Sequence, residues 1–208
     1  LVSEMGCAYI DGLQGTGEEQ FDENHVLCVA KHFVADGEPS KGINGAPVDI
    51  GEDALRELHL LPFERAVKRG AAGIMPAHHS VNRISCHCNR HLLEEILREE
   101  WGFRGVVVSD MLDIPKLYAY GGQADDRDHH QHRVAESETE AAYLALAAGV
   151  DAELGGYYTA FPDRSYGQNL LNGILSGRFP EGEAFIRRSA KRMIAAKLRR
   201  GFPASAAQ

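Results

Sequence analysis

Three places in this sequence put reactive side chains where a fold could use them. The run Val106-Val107-Val108-Ser109-Asp110 follows a helix-ending Gly102. It is too short for a helix and rich in β-branched residues, so it reads as a buried parallel strand. The carboxyl ends of strands carry the chemistry in α/β sheets and barrels. Asp110 is therefore a carboxylate on a rigid support at the mouth of a site, or else the cap of the next turn, a common use of Asp; position alone does not choose. Lys31 and His32 close a second apolar run, from Val26 to Phe33. Both side chains are costly to bury without partners, so the pair points to a polar cavity, whereas a lone Lys would simply reach solvent. His78-His79 closes a third run, Ile74 to Ala77.

Other histidines and the cysteines invite a metal. Cys86-His87-Cys88 reads as an extended or irregular stretch with both thiols on one side and His87 on the other. The remaining cysteines, Cys7 and Cys28, supply no matching pair, so four reduced thiols are expected rather than a zinc or redox centre. His129-His130-Gln131-His132 lies in the long polar stretch Met111 to Arg133, beside Gly121-Gly122 and a cluster of Asp. Such a run lacks the supporting partners that fix true ligands. No metal is expected.

These strands need helices between them. A helix ends near Gly12-Leu13-Gln14-Gly15, and Thr16 to Asn24 is a polar surface loop. After the loop Asp36 to Pro47, a capping box at Asp49–Glu52 opens a helix with Leu55, Leu58, Leu61, Ala66 and Val67 on one face and Pro62 as a kink or break. Asn89 caps a helix with the stripe Leu92, Leu93, Ile96 and Leu97, and a second box at Ser137–Glu140 opens an alanine-rich helix ending at Gly149. A strand over 150–154 follows, with Asp151 or Glu153 near its end. Two final helices lie around 169–176 and 181–200, the last burying Phe185, Ile186, Ala190, Met193, Ile194 and Leu198. Strands at about 26–33, 73–77, 105–109 and 150–154, separated by helices and without a hairpin of the Asn-Gly type between them, give a parallel α/β sheet with right-handed crossovers.

The 208 residues suffice for one domain with a substantial core, and 44% hydrophobic and 25% charged residues are ordinary for a globular chain. A net charge of −8 argues against nucleic acid and anionic membrane as partners, and no apolar run reaches membrane-spanning length. A (β/α)8 barrel has eight strands and about 250 residues. Four strands therefore represent about the second half to five-eighths of a TIM-type barrel.

The motifs, taken together, resemble the N-terminal barrel domain of glycoside hydrolase family 3, the β-glucosidase and β-xylosidase type. They are Gly12-Leu13-Gln14-Gly15, Ala30-Lys31-His32-Phe33, Leu55-Arg56-Glu57 with Leu61-Pro62-Phe63, Met75-Pro76-Ala77, Leu97-Arg98-Glu99-Glu100-Trp101-Gly102-Phe103, Val108-Ser109-Asp110, Ala148-Gly149-Val150-Asp151 and Lys197. They keep the family's order and spacing over nearly the whole chain, so residues 1–208 are expected to be a partial barrel domain of this kind. The resemblance implies that Asp110 is the catalytic nucleophile and that Lys31 and His32 bind sugar hydroxyls. His78 falls where many members have Tyr, and Met111 where many have Trp; both are expected to contact substrate. A Gly is common at the place of Arg83.

The resemblance further implies a retaining β-glycosidase, most simply a β-glucosidase, that cleaves β-linked oligosaccharides or glycosides by double displacement without a cofactor. Asp36 and Glu38 match no acid/base motif, and the family's acid/base glutamate usually lies in a domain after the barrel. The missing barrel segment, the second domain or another copy is then needed, and exposed strand edges should make the isolated chain associate. The rivals are a catalytically silent fragment and a metal-dependent barrel hydrolase using His78, His79 and residues 129–132. Compartment stays open between periplasmic or secreted and cytoplasmic.

Overall fold

The computed structural model describes residues 1–118, 133–155, 164–199 and 201. Among them five strands form: β1 (Val29–Phe33), β2 (Gly73–Pro76), β3 (Ser80–Val81), β4 (Ile84–Ser85) and β5 (Val106–Val107). β1, β2 and β5 make one parallel sheet in that order, with Val29 opposite Gly73 and Gly73 opposite Val106. Helices link its strands, so the architecture is the parallel α/β part-barrel expected from the sequence. The core lies between sheet and helices, and Phe33, Ile74, Leu92, Leu93, Ile96, Leu97, Val107, Ala145, Leu146 and Val150 are buried in it. Gly105 is obligatory for this packing, because a Cβ there would stand 2.2 Å from the Ala72 carbonyl oxygen.

The first helix, Val2–Gln14, ends on Gly15 at φ 73°. Its last side chain ties the sheet together. The buried Gln14 amide donates to Gly70 O (2.9 Å), and its oxygen accepts from Cys28 N (3.0 Å) and Ala72 N (2.9 Å). One amide thus satisfies backbone groups at the entrances of both β1 and β2, where no ladder partner exists.

Between β1 and β2, Glu52–Ala54, Leu55–Leu60 and Leu61–Arg69 run on as one rod whose middle is π-helical. The wide turns end just before Pro62, which sits in the first α-helical turn beyond them, where its missing N–H is harmless. The expected capping box at Asp49–Glu52 does not form; Gly51 precedes the helix and no side chain caps it. Glu52 turns instead to Arg56 (2.6 Å), and Ile50 is held by Asn82, whose side chain accepts from Ile50 N and donates to Ile50 O, both at 2.9 Å. Asn89 does cap the next helix, His91–Glu100, by accepting from Leu92 N at 3.2 Å. Ser137 caps Glu138–Ala148 through Glu140 N, while the Glu140 carboxylate reaches back to Glu136 N.

Two expectations fail for clear reasons. The strand over 150–154 shrinks to a single parallel bridge between Val108 and Ala152, because the Asp151 carboxylate takes the Val107 N–H at 2.9 Å in place of a backbone carbonyl. The helix Gly182–Arg199 is rotated from its apolar stripe: Ile186, Ile194 and Leu198 are exposed, and Arg188, Ser189 and Arg192 face inward. Beneath them lie two buried carboxylates. Glu94 meets Arg188 at 3.3 Å and Arg192 at 3.5 Å, and Asp151 meets Arg192 at 3.0 Å and Arg98 at 2.7 Å. Buried charges need such partners more than the exposed leucine and isoleucines need burial.

β3 and β4 form a hairpin the sequence does not announce. Ser80 pairs Ser85 and Val81 pairs Ile84, so the turn is Asn82-Arg83. Both residues have positive φ, 49° and 71°, the signature of a type I′ turn. Asn accepts this conformation; Arg does not readily, and it is the place where a Gly would relieve the strain. We expect Arg83→Gly to raise stability by up to about 1 kcal/mol, because relief of about 1–2 kcal/mol of left-handed strain exceeds the added freedom of glycine in the unfolded chain, read as a higher urea midpoint at unchanged slope. A lower midpoint would show that the Arg83 side chain contributes more than its backbone costs.

Candidate active site

Asp110 stands three residues beyond the end of the sheet strand β5, and every polar group of its backbone and one carboxylate oxygen are held. Its N–H donates to Nε2 of the buried His87 (3.0 Å), and its carbonyl accepts from the Ser109 hydroxyl (2.9 Å). Ser109 Oγ in turn accepts from Leu154 N at 2.9 Å, so the bridge from Val108 to Ala152 continues through a side chain. Oδ1 of Asp110 accepts from Met111 N at 2.6 Å. Oδ2 accepts no hydrogen bond among the described residues, yet two imidazole nitrogens lie close to it: His32 Nε2 at 3.3 Å and His78 Nε2 at 3.2 Å. One oxygen is fixed by a hydrogen bond, and the other is enclosed beside the two imidazoles.

Each imidazole is aimed by a carboxylate on its far side. His32 comes from β1, and its Nδ1 meets Asp36 Oδ2 at 3.0 Å. His78 follows β2, and its Nδ1 meets Asp113 Oδ2 at 2.7 Å. The two rings stack with centroids 6.0 Å apart. The pairs differ in exposure: the Asp36 side chain is 40% exposed, that of Asp113 only 1%. Water competes for the first pair and not for the second.

Asp113 is the charged centre of the arrangement. Its Oδ1 accepts from the buried Lys116 ammonium at 2.8 Å, and its Oδ2 also lies 3.6 Å from His87 Nδ1. Burial opposes its ionisation most strongly, but His87, the His78 hydrogen bond and Lys116 together outweigh burial and hold the carboxyl below the usual carboxylate range. The same hydrogen bond raises the pKa of His78, against the opposing effect of burial, and the charges of Asp113 and Asp110 add to the rise. His87 accepts through Nε2, which places its proton on Nδ1, facing Asp113.

The structure brings Asp110, His32 and His78 together. Lys31 stays apart: it is exposed, makes no ion pair among the described residues, and lines a groove with His32, Asp36 and Leu58. Met111 is 37% exposed beside Asp110. His79 turns inward and donates from Nε2 to Val34 O at 2.9 Å, so it cannot join His78 on one ligand. Residues 129–132 lie outside the described residues. Asp151 and Glu153 are pins rather than reactive groups; Glu153 accepts from Ser165 N (3.2 Å) and Tyr166 N (2.8 Å). All four cysteines are free thiols, but Cys86-His87-Cys88 is a single helical turn with Cys86 and His87 both buried, not an alternating strand. Burial pushes the Cys86 thiol up to about 12. His87, Asp113 and Lys116 were missed in sequence. The spacing Asp110, Asp113, Lys116 was the available signal, because residues three apart meet on a helical turn.

The ligand atoms of His78, Asp110 and Asp113 lie within 4.8 Å of one another, close enough to surround a cation. The chemistry of the set argues otherwise. Lys116 already neutralises Asp113, and the Asp113–His78 hydrogen bond occupies the atoms a metal would need.

The sequence pattern of the Glycosyl hydrolase family 3 N terminal domain matches residues 1–196. A β-xylosidase of Formosa agariphila is 52% identical over 155 residues, covering 74% of this chain and 20% of that protein. A periplasmic β-glucosidase of Salmonella typhimurium is 31% identical, covering 88% of this chain and 21% of that protein. The solved structure of a β-glucosidase from Erythrobacter marinus superposes with a TM-score of 0.80 at 33% identity, over 94% of this chain and 23% of that one. The chain spans about a fifth of the length of the curated relatives it matches. No helix among the described residues is long and apolar enough to cross a membrane.

Micromolar zinc followed by desalting should leave no metal at His78, Asp110 and Asp113. One zinc per chain that disappears in an Asp113→Ala variant contradicts this.

Proposed function

This chain belongs to glycosyl hydrolase family 3, and we propose that the full-length protein carrying it is a retaining β-glycosidase acting on β-glucosides, β-xylosides or related β-linked sugars, with Asp110 as nucleophile. The observation that carries the reading is the unequal treatment of the Asp110 oxygens: Oδ1 is bonded at 2.6 Å, and Oδ2 is free of hydrogen bonds with two imidazoles beside it. A nucleophile must be ionised and rigidly aimed, and here one oxygen is bonded while the other stands between two rings that can respond to its charge. In the first step Oδ2 bonds to the anomeric carbon as the aglycone leaves with a proton from a second carboxyl group; in the second, water displaces the carboxylate. His32, His78 and Met111 flank the sugar, and Lys31 stands further out on the groove beside His32. The reaction uses two carboxyl groups and water and needs no cofactor.

The second carboxyl group must stand about 5–5.5 Å from the first in a retaining enzyme. Asp36 is engaged by His32, and Glu38 lies 3.6 Å from His59, so neither suits the part. We assign it to a segment beyond residues 1–208. The apolar groove between the first helix and the Leu61–Arg69 helix, lined by Val2, Tyr9, Leu13, Leu27 and Phe63, would be covered by further barrel elements or by another copy.

Incubation of the full-length protein with a dinitrophenyl 2-deoxy-2-fluoro-β-glycoside should trap a glycosyl-enzyme on the peptide containing Asp110, since so good a leaving group does not need the acid. Asp110→Asn should lower turnover of aryl glycosides by about a thousandfold or more. Label on Asp36 or Glu153 would sink the assignment.

A further inference from the structure

We propose that Asp113 is a positioning residue that acts through His78, holding that imidazole against Oδ2 of Asp110 and so favouring the step in which Asp110 leaves the sugar. The inference rests on the reading of Asp110 as nucleophile. Its basis is a continuous line of groups: Lys116 Nζ to Asp113 Oδ1 at 2.8 Å, Asp113 Oδ2 to His78 Nδ1 at 2.7 Å, and His78 Nε2 to Asp110 Oδ2 at 3.2 Å. Three of the four groups are buried or nearly so, and only His78 opens partly towards the site. Asp113 has no water to turn to, and Lys116 fixes its other oxygen. The His78 ring therefore has one orientation, with Nε2 aimed at Asp110.

The charge state matches. A ring whose Nδ1 donates to an anion retains its second proton to higher pH, and the pKa of His78 is raised accordingly. Among the described residues, the groups facing His78 are Asp110 after β5, Asp113 and Lys116 on the turn that follows, and the stacked His32 from β1; the two carboxylates favour the imidazolium and Lys116 disfavours it. A donor at Oδ2 affects the two steps differently. In the first, Asp110 gives up negative charge, and an imidazolium gives no help there. In the second, the bond from C1 to Oδ2 breaks, its electron pair returns to Oδ2, and the water oxygen bonds to C1. The water's proton passes to the second carboxylate, which lost its own to the aglycone. Negative charge then reappears where His78 Nε2–H points, the arrangement that stabilises a departing carboxylate.

The test separates the steps in the full-length protein. Formation of the 2-fluoroglycosyl-enzyme and its reactivation are timed separately, against pH, for the wild type, Asp113→Asn and His78→Gln. Reactivation should slow by about tenfold or more in both variants, the scale of one lost hydrogen bond to a charged group, with formation much less affected. In the wild type reactivation should fall as pH rises through the His78 pKa. In Asp113→Asn that fall should move to lower pH, and in His78→Gln it should vanish. Equal slowing of both steps, or a fall that stays in place in Asp113→Asn, overturns the proposal. His78→Gln leaves the Asp113–Lys116 pair intact and decides the matter if Asp113→Asn does not fold. Label found on Asp110 with an unmoved reactivation profile defeats this inference alone; label elsewhere defeats the nucleophile assignment.

Discussion

The organisation of the site depends on one buried carboxylate, Asp113. An ionised group that is 1% exposed is strongly destabilising unless its charge and its lone pairs are met. Meeting them determines the positions of three other side chains. Lys116 must fold back along its own helical turn, and His78 and His87 must turn their Nδ1 atoms inward. Their Nε2 atoms then point the other way, one at the Asp110 carboxylate and one at the Asp110 N–H. Asp110 is thus gripped by two rings that share an anchor, from β2 and from the helical turn after β4. A second carboxylate does the same for the scaffold. Asp151 takes the Val107 N–H and binds Arg98 and Arg192, which locks the end of β5 to the helices on either side of it.

The parallel strands and their crossover helices were legible because short β-branched runs alternate with long periodic segments. Asp110, His32 and His78 were legible because strand ends converge on one mouth. What escaped did so for physical reasons. The hairpin at Asn82-Arg83 carries only half of the usual turn signal, since Arg stands at a left-handed position. The last helix shows an apolar stripe to a periodicity reading, but buried Glu94 and Asp151 draw its arginines inward. His87 lies between two cysteines that suggest a metal, although all three residues form one turn and His87 accepts from Asp110 N. Lys31 adjoins His32 on the same strand and lines the same groove, yet only His32 reaches Asp110.

The family reading and the geometry are independent. Sequence similarity to β-xylosidases and β-glucosidases concerns the whole chain, whereas the inequality of the two Asp110 oxygens concerns a few ångströms. On the proposed reading they meet in one requirement of double displacement, a rigidly held carboxylate whose two oxygens have different surroundings. Both histidines approach Oδ2 while a backbone amide takes Oδ1.

That inequality is most directly tested by a crystal structure of the full-length protein with the fluoroglycoside covalently bound. The account predicts a bond from the anomeric carbon to Asp110 Oδ2, with Oδ1 still accepting from Met111 N and His78 still bridging Asp113 and the esterified carboxyl. A sugar attached through Oδ1, or a His78 ring swung away from Asp113 in the intermediate, would contradict it.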